Sequence, residues 1–164
     1  MNAADCSFEI RTARLEDALA LAGLLEELGF PAPADVVAQR LSVLAQAGET
    51  TLVGTLSSEV LGFVTVHVTP VLHRPTPVGR MTGLVVAIRA RGRGLGRALV
   101  ASAERHLADA GCGMVEVTSN QELSEAHSFY QQLGYAMTSY RFGKTLPLIA
   151  GVKSLSEDSR WTRK

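Results

Sequence analysis

Apolar and polar positions alternate from Phe8 to Arg11, which predicts a short first strand. The period then lengthens. Leu21, Leu24, Leu25 and Leu28 recur at helical spacing, with Asp17 near the start and Gly29 past the end, so a helix follows. Pro31 and Pro33 break it, and a second helix is expected over residues 34–45, stopping before Gly48. Residues 50–56 and 60–68 read as two strands joined by Ser57-Ser58-Glu59, a hairpin. Residues 69–80 hold three prolines and one glycine and are expected to be loop, and the apolar run 81–86 reads as another strand. Ala98, Leu99, Ala103 and Leu107 then return to helical spacing, with Gly111 and Gly113 at the helix end. Residues 114–118 read as a strand. Ala126, Phe129, Tyr130 and Leu133 define one face of a last helix that Gly134 is placed to cap. Residues 135–146 alternate well enough for one or two final strands.

The order β-α-α-β-β-β-α-β-α-β predicts a mixed α/β domain over residues 1–146. Residues 147–164 are polar and without period, and a loose tail is expected there, with Trp161 as its one anchor. A length of 164 residues suits one domain with a real core. Sixteen basic residues balance sixteen acidic ones, so no global basic field exists to recruit nucleic acid. No stretch approaches a membrane span, and an N-terminus carrying Asp5 and Glu9 lacks the plan of a signal peptide. Two cysteines, Cys6 and Cys112, read as free thiols of a reducing compartment. The cytoplasm is therefore the expected location.

Charge is nevertheless concentrated at one place. Arg91-Gly92-Arg93-Gly94-Leu95-Gly96-Arg97 follows the apolar Leu84-Val85-Val86 and opens a helix. Glycines leave backbone N–H groups uncovered and permit tight loop angles, and a helix start adds free donors and the positive end of the dipole. Such a segment suits a phosphate. The dinucleotide spacing G-x-G-x-x-G fails, because position 97 is Arg. The triphosphate spacing fails at Gly143-Lys144-Thr145, because the earlier glycine would fall at Thr138.

The spacing R-x-x-G-x-G, as Arg91, Gly94 and Gly96, resembles the coenzyme A loop of the GNAT acetyltransferase superfamily. Ser119-Asn120, Ala126-His127-Ser128-Phe129-Tyr130 and Leu133-Gly134-Tyr135 are similar to a second segment of that family. The likeness covers roughly residues 8–146. It implies a mostly antiparallel sheet with splayed fourth and fifth strands, helices on both faces, and acetyl-CoA as cosubstrate without a metal. Carried over, backbone groups of Leu84, Val85 and Val86 would hold the pantetheine arm. Those of Arg91, Gly92, Arg93, Gly94, Leu95, Gly96 and Arg97 would hold the pyrophosphate, and Asn120 would touch the arm. Tyr130 falls at the position of the acid that protonates the departing thiolate. A purely structural tyrosine or a turn-forming Asn120 would fit the same residues.

The resemblance implies acetyl transfer to a primary amine by direct attack, with Cys112 not required as a nucleophile. The acceptor would be a small molecule or, alternatively, a protein lysine or N-terminus, and the resemblance also allows a homodimer. The chain departs from the family in two places. Many relatives place a base Glu on the fourth strand, whereas Met81-Thr82-Gly83 has no carboxylate. His67, His73, His127, Glu26 and Glu27 remain as candidate bases. Glu122, Leu123 and Glu125 stand where relatives often carry basic residues. An acyl-CoA-binding module without turnover is the rival from another class.

Overall fold

The computed structural model describes residues 8–147, which fall into two compact units divided between Thr118 and Ser119. The first unit is built on a five-stranded sheet in the order β1-β2-β3-β4-β5. These strands are β1 (Glu9–Thr12), β2 (Thr50–Leu56), β3 (Glu59–Thr69), β4 (Val78–Val86) and β5 (Met114–Val117). Pairing is antiparallel from β1 to β4 and parallel between β4 and β5. The sheet is therefore mixed and mostly antiparallel, as the strand order along the chain requires.

Helices α1 (Ala18–Glu27) and α2 (Ala34–Gln46) follow β1, and α3 (Leu95–Asp109) makes the crossover between the two parallel strands. A parallel pair needs such a crossover, because a hairpin cannot reverse the chain twice. α3 buries Leu95, Leu99, Val100, Ala103 and Leu107. It lies close because the sheet offers glycines beneath it. A side chain at Gly54 would collide with Leu95, one at Gly62 with Leu99, and one at Gly79 with Leu107. Val53, Val64, Val66 and Met81 complete a core with almost no solvent contact, which is the main stabilising term by apolar burial.

Two local devices set the entry and the hairpin. Arg11 grips both carboxylate oxygens of Asp17 at 2.7 and 2.8 Å, and the Arg14 N–H donates to the same carboxylate at 2.7 Å. This locks β1 to the single 3-10 turn before α1. The hairpin turn places Ser57 and Ser58 at φ 48° and 69°, a region that favours glycine.

The chain differs from its sequence reading in two places. β4 begins at Val78, three residues inside the segment expected to be loop. Val78, Gly79 and Arg80 pair with β3 on one side and β5 on the other. Pro77 marks the start and cannot weaken a ladder it precedes. The final strands expected over residues 135–146 do not form among the described residues. Alternation alone cannot make a strand. Met137, Tyr140, Phe142 and Leu146 stay 71–94 % exposed, so this stretch has neither ladder nor buried face. The second unit holds α4 (Ser124–Gln132), closed by Gly134 at φ 91°. Of the tail expected over residues 147–164, everything after Pro147 lies outside the described residues.

Candidate active site

β5 stops at Val117, whose partner is Met81, while β4 continues to Val86. The last five residues of β4 therefore pair with β3 alone and present an open edge. The Ala87 N–H donates to the Leu61 carbonyl at 2.8 Å. Antiparallel pairs alternate between bonded and unbonded, so Val85 spends its backbone groups on Phe63, its register partner. Leu84 and Val86 turn theirs to the open side. Of the three residues assigned to the pantetheine arm, the structure gives Leu84 and Val86 the outward groups and buries the Val85 side chain.

A 3-10 turn, Ile88–Ala90, joins the edge to the arginine–glycine loop. Gly92 and Gly94 take φ 72° and 88°, and Gly94 is the left-handed N-cap of α3. A side chain at either would meet open space, so the backbone angle rather than crowding is what favours glycine. Leu95, Gly96 and Arg97 form the first helical turn, whose amides have no carbonyl one turn back and no side-chain cap. No acidic residue sits in this turn. The result is a cradle of aimed N–H groups at the positive end of a fifteen-residue helix.

The three arginines do different things. Arg91, though exposed, folds back along the loop and donates from Nε to the Val86 carbonyl at 3.2 Å, tying the loop to the end of β4. Arg93 stands over the Phe8 ring at 5.8 Å. Arg97 is exposed on the first turn. The loop is clasped from below by Glu27 of α1, which accepts the Ile88 N–H at 2.8 Å, and by Arg89, which reaches Glu59 at 2.5 Å. Glu27 is thereby committed to structure. A groove of about 720 Å³ lies between α1 and the hairpin turn, with Glu16, Glu26, Glu27, Glu59 and Arg89 in its wall. It includes none of Leu84, Val86, Gly92, Gly94 or Gly96, so it is separate from the cradle.

Within the second unit, Tyr130 lies on α4 in edge contact with Phe129 at 5.3 Å and Tyr135 at 5.7 Å. This apolar setting pushes its hydroxyl above the ordinary tyrosine value, because the charged form loses solvent. The hydroxyl is a donor throughout the neutral range. Asn120 accepts the Glu122 N–H on its side chain at 3.1 Å, and its carbonyl accepts from the Leu123 N–H and lies 2.9 Å from His127 Nε2. Asn120 and His127 thus shape the turn before α4. His73 is exposed in the 70–77 connection. Burial also pushes the Cys112 thiol up, which keeps it protonated and a weak nucleophile.

The family model described as "Acetyltransferase (GNAT) family" matches residues 16–135, a stretch that takes in the open edge, the cradle and α4. The chain belongs to the GNAT acetyltransferase family. A curated relative, the aminoalkylphosphonate N-acetyltransferase of Salmonella typhimurium, is 34% identical over 90 residues. The match takes in 55% of this chain and 58% of that relative's length. Among solved structures, an aminoglycoside N-acetyltransferase in complex with CoA superposes with TM-score 0.78 at 18% identity, over 90% of this chain and all of that one. An acetyltransferase of Trypanosoma brucei gives 0.74 at 24% identity, over 85% of this chain and all of that one. These likenesses establish the GNAT fold. Among the described residues no cluster of metal-ligating side chains occurs, and no helix is long and apolar enough to cross a membrane.

Sequence reasoning passed over two charges that the GNAT sheet brings together. Arg80 fell in the presumed loop, and Glu116 was one polar position in a short strand. In the structure Arg80 Nε meets Glu116 Oε2 at 3.2 Å across the β4–β5 ladder. A lone carboxylate inside the apolar run Met114–Val117 was the signal available for Glu116.

Proposed function

We propose that this GNAT protein transfers acetyl from acetyl-CoA to a small primary amine by direct attack within a ternary complex. The observation that carries the reading is the open edge of β4 leading, through one 3-10 turn at Ile88–Ala90, into the Gly92–Arg97 cradle. The outward backbone groups of Leu84 and Val86 suit an amide-bearing arm laid beside the strand, as a neighbouring strand would lie. The first-turn amides of α3 suit the pyrophosphate to which that arm is joined. Arg97 adds charge there, while Arg91 holds the loop in shape.

With the thioester aligned, the neutral amine nitrogen attacks the acetyl carbonyl and forms the C–N bond, the C–S bond breaks, the nitrogen releases one proton to water, and the thiolate takes up one from the enzyme's acid, which water restores. Alignment is the larger part of the acceleration, since it removes the cost of bringing two reactants together. Tyr130, kept neutral by its apolar surroundings, supplies the proton to sulfur. Cys112 takes no part, because its thiol stays protonated. The curated relative's name, an aminoalkylphosphonate N-acetyltransferase, makes small amines bearing an acidic group the first class to assay.

The test is thiol release from acetyl-CoA by the full chain against a panel of amines. Release with a small amine, together with the acetylated product by mass, is the expected result. Binding of acetyl-CoA with no release for any amine refutes the transfer reading and leaves an acyl-CoA-binding module. That outcome is what the absence of a carboxylate at Met81-Thr82-Gly83 would favour.

A further inference from the structure

The Arg80–Glu116 pair is one end of a polar row that crosses three strands. His67 on β3 is the register partner of Arg80, and Arg80 is the register partner of Glu116. Gly79 turns toward Leu107 of α3, and successive strand residues face opposite ways. Arg80 therefore points to the face turned away from α3, and its ladder partners share that face. Along β3 the same face is closed at Phe63 and Thr65, which are buried, and then opens at His67. The side chains of Arg80 and Glu116 are 49% and 42% exposed. The next rung, Met81 with Val117, is the last before β4 and β5 part. The row thus sits one rung from the start of the edge on which the thioester arm is placed above.

A cation on an interior strand is costly to place where β-branched or aromatic residues pack best. Here its chemistry is only partly used. Arg80 spends Nε on Glu116, and among the described residues its two Nη groups have no acceptor. Those groups form the planar fork that matches a carboxylate, phosphonate or phosphate. Glu116 spends Oε2 and keeps Oε1. His67 buries Nδ1 without a partner. The row offers donors beside an acceptor, the complement of a zwitterion.

We infer that the His67–Arg80–Glu116 row is the acceptor-recognition site and that the acceptor is an amine carrying an acidic group. The acidic group sits on the Arg80 fork beside His67, and the amine end sits on Glu116, next to the thioester. This assignment rests on the transfer reading proposed above, and it adds what that reading lacks, a place for the acceptor. An amine of equal length without an acidic group would leave the Arg80 fork without its anion.

The test compares 2-aminoethylphosphonate and β-alanine with n-propylamine, using thiol release by the full chain. The wild type is expected to prefer an acidic amine over propylamine by about tenfold to a hundredfold in kcat/KM, the worth of one charge-assisted contact. Whichever acidic amine leads identifies the anion. Arg80→Met should collapse that ratio toward one, acting through KM, and Arg80→Lys should restore part of it. A thermal melt of each variant separates this from a folding defect. A wild type that prefers propylamine, or an Arg80→Met variant that keeps the wild-type ratio, overturns the inference. If no amine releases thiol, the transfer reading fails separately, and calorimetric titration of 2-aminoethylphosphonate decides the site. Binding that Arg80→Met abolishes upholds it, and no binding to the wild type overturns it.

Discussion

Adding one methyl group at Gly62 should damage both the core and the acetyl-CoA site. A Cβ there would stand 2.7 Å from the Val85 carbonyl oxygen, 3.1 Å from Leu99 Cδ1 and 3.4 Å from Leu95 Cδ2. The first neighbour is backbone, fixed in the β3–β4 ladder, and cannot rotate away. Relief requires the two strands to move apart or α3 to lift. Overpacking of this kind costs about 1–3 kcal/mol, and the smaller freedom of Ala in the unfolded chain returns about 0.4–1 kcal/mol. Gly62→Ala should therefore lose about 1–2 kcal/mol, read as a lower urea midpoint at constant slope. It should also raise the KM for acetyl-CoA several-fold, because Val85 lies between the outward groups of Leu84 and Val86. Gly79→Ala is the control. Its Cβ meets Leu107 at 2.7–3.0 Å, all side-chain atoms, at the other end of β4. It should lose stability and leave the acetyl-CoA KM alone. Wild-type stability and KM in Gly62→Ala, or an equal KM change in Gly79→Ala, would refute the link between packing and site.

Three further outcomes follow from named contacts. Tyr130→Phe should lower kcat by about a hundredfold, the scale of one general acid, with the acetyl-CoA KM unchanged; full turnover in steady-state assays removes the acid role. Asp17, held below the usual carboxylate range first by its Arg11 hydrogen bonds and then by the Arg14 N–H, stabilises the fold fully above its unfolded value of about 4. That contribution disappears as pH falls through the lower folded value. Asp17→Asn should cost about 3 kcal/mol at pH 7 and flatten the acid limb of a stability–pH curve. Ser58→Gly relieves a φ of 69° at an exposed turn. Left-handed angles cost an L-residue about 1–2 kcal/mol, so the urea midpoint should rise, and a fall would show that the serine side chain holds the turn.

Periodicity alone located most elements of this chain, because helix and strand faces must match one buried side. The patterns of residues 50–56 and 60–68 gave both strands of the hairpin, and Ala98, Leu99, Ala103 and Leu107 marked α3, whose buried stripe in the structure takes in Leu95 and Val100 and leaves Ala98 half-buried. The arginine–glycine spacing was legible for a similar reason: left-handed angles at Gly92 and Gly94 and a helix start are local, and local constraints are written in consecutive residues. Tertiary structure decided what depends on partners distant in sequence. Val78, Gly79 and Arg80 look like loop beside Pro75 and Pro77, and become strand only because β3 and β5 pair with them while Leu107 needs the space above Gly79. Residues 135–146 alternate like a strand, yet among the described residues no ladder takes them up. Arg80 and Glu116 are thirty-six residues apart in the chain. They become neighbours because α3 returns the chain parallel to β4. Pairing and register are set by the whole fold, so this charged row, on which the choice of acceptor is proposed to rest, could be found only in three dimensions.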